Sequence, residues 1–319
     1  MEKDNLNIGL IGPGIMTIPP TKWGAVEMLM WDYYTILTTH GYNVEIINTP
    51  NRDEIISKVN NGNFDIVHLH YDVFIDIIPR LKNTKIVVSS HFPFINNPEK
   101  YGNYRSIFNQ LIKNDTHHLF ASSLKDINTY VNNGADINKV FLSKLGVKSD
   151  SYNYNEIAEL DKTLCFSQII NRKRQYLIQD IDNIDFYGRM DDRTFKSKNY
   201  FGELERDILN ETITKYSNFI LVSSVENTTP LVVKEALICG LGVVVSESVG
   251  VELDGTKDFI TILDEDSINN REKLIDAINE NKKISITKRN EIRKYGIENF
   301  DVEKLLLNEY IPKLKKIIE

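Results

Sequence analysis

The chain has 319 residues, of which 41% are hydrophobic and 26% are charged, with a formal net charge of −7. This length predicts two domains of about 150 residues each. The acidic balance disfavours a nucleic-acid-binding protein, which would usually be basic. No apolar run reaches the roughly 18 to 20 residues of a membrane span, and the charged opening MEKDN is unlike a signal peptide. We therefore expect a cytoplasmic protein, and a peripheral contact with a membrane stays open.

Short runs rich in Ile and Val alternate with helical patterns in the first half of the chain. The helical pattern AVEMLMWDYYTILTTHG ends at Gly41, and SLKDINTYVNNG has Ser123 as a candidate N-cap and Gly134 as its stop. Strand, helix and strand in alternation predict a parallel sheet covered on both faces. The predicted strands are NIGLIG (7–12), NVEIIN (43–48), FDIVHLH (64–70), KIVVSS (85–90) and HLFASS (118–123).

The alternation resumes after a polar segment, GVKSDSYNYNEIAELD (146–161), that is typical of a linker. The final stretch, DVEKLLLNEYIPKLKKIIE, is amphipathic, and Pro312 should bend or break it. Cys165 and Cys239 lie in apolar segments, so we expect reduced thiols in the core. The further predicted strands are TLCFSQ (163–168), IDFYG (184–188), NFILVSS (218–224), GVVVSE (242–247) and FITIL (259–263).

These elements predict an α/β protein with two doubly wound, Rossmann-like domains that face a cleft. The first domain is expected over residues 1–150 and the second over 151–300, followed by a C-terminal helix at 301–319 that can return to the first domain. Ligands of such sheets bind beyond the carboxyl ends of the strands. Candidate functional residues are therefore sought in the loops that follow each strand.

The opening loop, within LNIGLIGPGIMTIPPTKWGAVE (6–27), does not fit a dinucleotide-binding fingerprint. The fingerprint needs a third glycine and an immediate helix, whereas Thr17 takes that position and two prolines delay the helix until about Trp23. The second strand also ends in INTP, without the acidic residue that binds a ribose. Two interpretations remain: helix-end amides that meet an anion or a sugar hydroxyl, or a loop that only turns the chain.

The stretch FILVSSVENTTPLVVKEALICGLGVVVSES (219–248) carries a stronger signal. Glu226 lies in a short loop after a strand, and Thr228 or Thr229 can cap a helix that has Pro230 at its first position. Glu235 falls within that helix. Carboxylates suit the vicinal hydroxyls of a sugar, and a helix N-terminus suits a phosphate. Alternatively, Glu226 is a solvated loop residue and Glu235 a packing residue.

A cationic cluster follows another strand, in CFSQIINRKRQYLIQ (165–179). Arg172, Lys173 and Arg174 are predicted to open a helix. Cations at a helix N-terminus oppose the dipole, so their presence indicates an anion that shares the site. A solvated run of charges is the alternative.

Taken together, these motifs resemble the retaining nucleotide-sugar glycosyltransferases of the GT-B type, specifically glycosyltransferase family 4, over most of the chain. ENTTPLVVKEALICGLGVVVSE is similar to that family's motif of two glutamates, and SQIINRKRQ to its donor-phosphate segment. KWGAVE resembles the glycine-rich loop on the acceptor side. IVVSSHFPF resembles the strand that ends in an active-site histidine, and FDIVHLHY the strand before it.

On the donor side, the resemblance implies that Lys173 meets the diphosphate and Glu235 the ribose. Gln168 stands where the family has an arginine, so that charge either comes from Arg172 or Arg174 or is absent. The first glutamate of the motif falls on Asn227. Either Glu226, one residue earlier, or Asn227 itself then contacts the transferred sugar.

The resemblance also implies roles for residues on both sides of the reaction. Thr229, Leu231 and Val232, at the helix start, would complete the donor site. His91 would lie near the transferred sugar, although a histidine in this position is often structural. The acceptor-side loop would contribute Gly14, Gly24 and Glu27.

The implied activity is metal-independent transfer of a sugar, with retention, from a nucleotide-diphosphate sugar to a hydroxyl of a glycan, lipid or other acceptor. UDP and GDP are the expected nucleotides, with no cofactor and no metal; DED at Asp264 to Asp266 has the letters of a metal motif but lies in a polar turn. A nucleotide-sugar 2-epimerase and an inactive protein that binds nucleotide sugar or glycan are the rivals, the latter favoured by Gln168 and the displaced Glu226. A homodimer is compatible with all three functions.

Overall fold

The computed structural model describes residues 5–21, 24–100 and 102–319. The chain divides into two compact units, one of Met1–Gly146 with Val302–Glu319 and the other of Val147–Asp301. The polar segment expected to be a linker therefore belongs almost entirely to the second unit.

The first unit is built on a parallel sheet of six strands in the order β2-β1-β3-β4-β5-β6. Five of these strands coincide with the predicted runs. The sixth was not predicted, because its three residues at the sheet edge leave almost no pattern to detect. The strands are β1 Asn7–Ile11, β2 Asn43–Ile47, β3 Ile66–Leu69, β4 Lys85–Ser89, β5 His118–Ala121 and β6 Val140–Leu142.

Helices connect these strands. The Ser123 hydroxyl accepts a hydrogen bond from the Asp126 amide at the start of the fourth helix, as the sequence predicts for an N-cap. The first helix begins after Gly24; Lys22 and Trp23, where its start was expected, lie outside the described residues. The helices are α1 Ala25–Thr39, α2 Arg52–Asn61, α3 Tyr104–Ile112 and α4 Leu124–Asn132, with a 3-10 helix at Asp72–Arg80.

The C-terminal segment packs in the first unit. It consists of α10 Val302–Leu305, a π-helical turn Leu306–Tyr310 and α11 Ile311–Ile318. The sequence predicts an interruption at Pro312, because proline has no amide proton to donate to the preceding turn. The π-helical turn that ends at Tyr310 is this interruption. Leu306, Tyr310 and Leu314 are buried in one apolar cluster with Leu10 and Met30.

The second unit has a parallel sheet of five strands in the order β11-β10-β9-β7-β8. Cys165 and Cys239 are free thiols buried in its core. The strands are β7 Thr163–Phe166, β8 Ile184–Tyr187, β9 Asn218–Leu221, β10 Gly242–Ser246 and β11 Ile260–Leu263. The helices are α5 Arg206–Ile213, α6 Leu231–Ile238, α7 Glu265–Asn269, α8 Arg271–Thr287 and α9 Arg289–Phe300.

Two local expectations in this unit are wrong. The cationic cluster does not open a helix: 3-10 turns at Asn171–Lys173 and Gln175–Leu177 are separated by Arg174, whose φ of 55° is left-handed and breaks the helical path. Helix α6 starts one residue later than expected, after Pro230, and neither neighbouring threonine caps it. Its predicted stop at Gly240 is confirmed, with φ of 80°.

Candidate functional site

Arg172 and Lys173 converge on Glu226 in the second unit. The Arg172 Nη1 and Lys173 Nζ atoms both donate to the same carboxylate oxygen, Oε1 of Glu226, at 2.5 and 2.8 Å. The turn after β7 supplies the cations and the loop after β9 supplies the carboxylate. The Ser224 amide bonds to the Arg172 carbonyl at 2.9 Å and so holds the two loops together.

All three side chains of this cluster are largely removed from water, with exposures of 21% for Arg172, 9% for Lys173 and 8% for Glu226. Burial would raise the pKa of the Glu226 carboxyl, but the neighbouring ammonium and guanidinium bring it below its ordinary value. Burial also lowers the pKa of Lys173, against the opposing effect of Glu226. The charged forms of Lys173 and Glu226 therefore stabilise each other.

Arg174 and Gln168 make other contacts. The Arg174 guanidinium donates to the Val222 and Ser223 carbonyl oxygens and pairs with Glu265 at 2.6 Å. The Gln168 amide donates to Asp191. Of the two arginines offered to replace the family's arginine, Arg172 is therefore the one that shares a partner with Lys173.

The loop into α6 is held by Glu252. Its Oε2 accepts from the Thr228 hydroxyl, from the Thr229 amide at 3.0 Å and from the buried Lys234 ammonium at 2.9 Å. The Thr229 hydroxyl donates to the Val249 carbonyl at 2.8 Å, so it serves the fold.

The first amides of α6 belong to Leu231 and Val232. They precede the first amide that bonds back to the loop, that of Val233, which donates to the Pro230 carbonyl at 3.0 Å. Helix geometry leaves such leading amides for an acceptor outside the helix. They form the part of this loop that suits an anion.

Glu235 has a partner that the sequence analysis missed. Its Oε1 accepts from the Arg206 Nη2 at 2.5 Å, and the carboxylate is 2% exposed. The other oxygen, Oε2, is buried without a hydrogen-bond partner in the described structure. Arg206 starts α5, and its Cζ lies 5.7 Å from the centre of the Tyr152 ring. No periodicity signals a pair separated by 29 residues.

Asn227, where the family motif has its first glutamate, is 6% exposed. It is the direct neighbour of Glu226 in the loop before α6. Asn227 and Glu226 are therefore both buried, but Glu226 is the one that pairs with the cations.

His91 belongs to a histidine cluster in the first unit. It follows β4 by two residues, and its ring is stacked with that of His70 at 5.7 Å between centroids and 2° between planes. The His91 Nε2 and His70 Nδ1 atoms are 3.4 Å apart. Behind them, His68 bonds to the Ser89 hydroxyl at 2.8 Å and to the Tyr310 hydroxyl at 3.0 Å.

Burial lowers the pKa of His91 to about 4 and the pKa values of His68 and His70 well below the ordinary value. All three imidazoles are therefore neutral at pH 7. His68 and His70 are not among the site residues predicted from the sequence. Their spacing of two on a strand places both on one side, which is the signal that could have joined them to His91.

The acceptor-side loop is shaped by close backbone approaches. The Gly14 amide donates to Asn48 Oδ1 at 2.8 Å. A side chain at Gly14, where φ is 67°, would place its Cβ 2.3 Å from the Pro50 nitrogen, so only glycine fits. Gly24 precedes α1, and Glu27 is buried in the first turn of that helix.

The acidic triplet considered as a metal motif has structural partners. Asp264 accepts from the Ser267 amide at 2.8 Å and caps α7, and Glu265 pairs with Arg174. Among residues 5–21, 24–100 and 102–319, no group of three or more metal-binding side chains is assembled. No described helix is both long and apolar enough to cross a membrane.

Solved structures share this fold over nearly the whole chain. HepE of Anabaena, crystallised with UDP-glucose, has a TM-score of 0.73 at 13% identity, covering 97% of this chain and 100% of HepE. Sucrose-phosphate synthase of Thermosynechococcus elongatus has a TM-score of 0.73 at 12% identity, covering 98% of both chains. AviGT4, a glycosyltransferase involved in avilamycin A biosynthesis, has a TM-score of 0.71 at 13% identity, again covering 98% of both.

No protein-family model and no curated protein matches the sequence. The structural likeness confirms the predicted fold class: the chain has the GT-B fold of two Rossmann-like α/β domains.

Proposed function

We propose that the protein is a glycosyltransferase that takes a sugar from a nucleotide-diphosphate sugar, with the diphosphate bound by Arg172 and Lys173. The observation that carries the proposal is the convergence of these two largely buried cations on a single anionic oxygen. Phosphate oxygens are bound in the same way, by charge-assisted hydrogen bonds. The fold adds support, because HepE, which shares it, was crystallised with UDP-glucose.

The cations would act on the leaving group. When the bond from the anomeric carbon to the phosphate oxygen breaks, its electron pair stays on the nucleoside diphosphate. Preorganised groups that meet such developing charge often supply the largest part of catalysis. Lys173, Arg172 and the leading amides of Leu231 and Val232 would supply this here, so we propose a metal-independent reaction, with retention at the anomeric carbon.

Other donor contacts follow from the same assignment. Glu235 would bind the ribose, since its motif position and its buried, partnerless Oε2 both suit a hydroxyl donor. Asn227 would contact the transferred sugar, because Glu226 already serves the two cations. Thr229 would act only through the shape of the loop, and UDP is the first nucleotide to test.

The first unit would receive the acceptor, a hydroxyl of a glycan or of a lipid-linked sugar. His91 would hydrogen-bond the transferred sugar through a neutral imidazole, and Gly14, Gly24 and Glu27 would line the acceptor side. A lipid-linked acceptor would bring the protein to a membrane surface.

Calorimetric titration with UDP, GDP, UDP-glucose and GDP-mannose, with and without a chelator, tests the donor site. We expect at least one nucleotide to bind in the presence of the chelator. Lys173→Ala should weaken that binding by about 10- to 100-fold, since one charge-assisted hydrogen bond is lost. Lys162→Ala is the matched control, because Lys162 pairs with Asp185 elsewhere in the unit. Failure of all four ligands to bind would remove the proposal.

A protein that binds nucleotide sugar without transferring it is the second candidate. It is favoured by Gln168, which stands at the family's arginine position and donates a hydrogen bond to Asp191. Slow hydrolysis of the bound donor, followed by mass spectrometry, separates the two functions: a transferase releases sugar over hours, whereas a binding protein leaves the donor intact.

A further inference from the structure

We propose that Glu226 is an internal counter-ion, which holds the diphosphate-binding cations in the free protein and competes with the diphosphate for them. The proposal rests on the proposed function and adds to it a residue that weakens donor and product binding. It departs from a sugar-contacting role for Glu226.

Glu226 is paired with both cations in the free protein. Both cations donate to one oxygen of Glu226, at distances of 2.5 and 2.8 Å, and all three side chains are mostly buried. A buried Lys173 and a partly buried Arg172 without an anion would be unfavourable. The chain supplies that anion itself, so the free protein folds with its cationic pair already satisfied.

The balance of charge carries the second step. Arg172, Lys173 and Glu226 together carry one net positive charge, whereas the diphosphate of a nucleotide sugar carries two negative charges. A diphosphate bound while Glu226 stays in place leaves an excess negative charge in a buried site. Release of the carboxylate from the cations leaves two positive charges that match the two phosphates.

Glu226 would also favour release of the product. After transfer, the nucleoside diphosphate gains a further negative charge and would bind the cations more tightly than the donor did. A tethered carboxylate that returns to the same two cations opposes this and favours product release, a step that limits many enzymes. Glu226 would therefore lower the affinity for the donor and speed the release of the nucleoside diphosphate.

The test is a titration with inorganic pyrophosphate, UDP and uridine of the wild-type protein, Glu226→Gln and Glu265→Gln. Glu265→Gln is the matched control, because it removes the negative charge that pairs with Arg174, the residue after Lys173 in the chain. Glu265 differs from Glu226 in being an exposed carboxylate. We expect Glu226→Gln to bind pyrophosphate and UDP about tenfold more tightly than wild type. One nearby charge changes the equilibrium constant of an ionic interaction by about a factor of ten or more. Glu265→Gln should stay within about twofold of wild type, and uridine should bind all three proteins alike.

Loss of the counter-ion also lowers the stability of the free protein, so a second variant and a second readout are included. Glu226→Asp keeps the charge but withdraws it by one methylene, and it should show a smaller gain in affinity. Pyrophosphate should raise the melting temperature of Glu226→Gln more than that of wild type, because the anion replaces the lost carboxylate.

The outcomes separate the two proposals. If UDP binds wild type but Glu226→Gln binds UDP and pyrophosphate equally or more weakly, Glu226 orients the cations and the counter-ion proposal is wrong, while the donor site stands. If wild type binds no nucleotide but Glu226→Gln gains pyrophosphate binding, the counter-ion proposal stands and the nucleotide-sugar assignment fails. If no variant binds either ligand, both fail.

Discussion

Acidification should destabilise the first unit through His91. The ordinary pKa of histidine is about 6.5, and burial lowers that of His91 to about 4. Between these values the unfolded chain binds a proton that the folded chain does not, so the free energy of unfolding falls as the pH falls. This contribution is complete above pH 6.5 and lost progressively down to pH 4.

The size of the effect follows from the two pKa values of His91. At pH 5 the unfolded imidazole is almost fully protonated and the folded one is mostly neutral. The difference amounts to about 2 kcal/mol relative to pH 8. This is an upper value, because the His91 ring is partly exposed and water moderates the shift.

Urea unfolding at pH 8 and pH 5, followed by tryptophan fluorescence, measures this directly. Trp23 and Trp31 both belong to residues 1–146, so the signal reports on the first unit. His91→Gln should lose less stability than wild type between the two pH values, by about 1 to 2 kcal/mol. His40→Gln, at an exposed histidine, is the control. Equal losses in wild type and His91→Gln would refute the lowered pKa of this imidazole.

Two further substitutions test the packing that supports the site, each by chemical unfolding. Arg206→Met should destabilise the protein by about 3 kcal/mol, because it leaves the buried Glu235 carboxylate without its cation. Arg206→Lys should recover part of the loss, and a cost below about 1 kcal/mol for Arg206→Met would contradict a buried ion pair. Gly296→Ala should cost about 1 to 3 kcal/mol despite the better helix propensity of alanine, since its Cβ would lie 2.7 Å from the Ile238 nitrogen where α9 meets α6, whereas Gly102→Ala meets no atom within 4 Å and should be neutral.

The sheets could be predicted from the sequence because buried parallel strands leave a pattern that few other elements leave. Runs such as KIVVSS and GVVVSE are apolar at consecutive positions and are bounded by helical patterns, which fits a strand covered on both faces. The three-residue strand β6 has no such run. The backbone conformation within a run of polar residues could not be predicted either, since nothing in NRKRQ signals that Arg174 adopts a left-handed conformation.

Sequence motifs pointed to several residues of the candidate site but not to their pairings. Motif position pointed to Lys173, and Glu226 lies one residue before the position of the motif's first glutamate. The 52 residues between them carry no sign that the two side chains meet. Glu235 pairs with Arg206, a residue without any motif. Such contacts depend on which loops of a parallel sheet lie side by side, and the strand order that decides this is a property of the folded chain.

The observed ion pairs determine what a ligand has to displace when it binds. The motif alone predicts two cations that are free to bind a diphosphate and a Glu235 that is free to bind a ribose. In the folded chain the cations are held by Glu226, and Glu235 is held by Arg206. Ligand binding would then exchange internal ion pairs for external ones, and the measured affinity would be the difference between the two. Modest affinity for a nucleotide would follow from this exchange, so the gain on removing Glu226 is a more direct test of the site than the affinity of the wild-type protein.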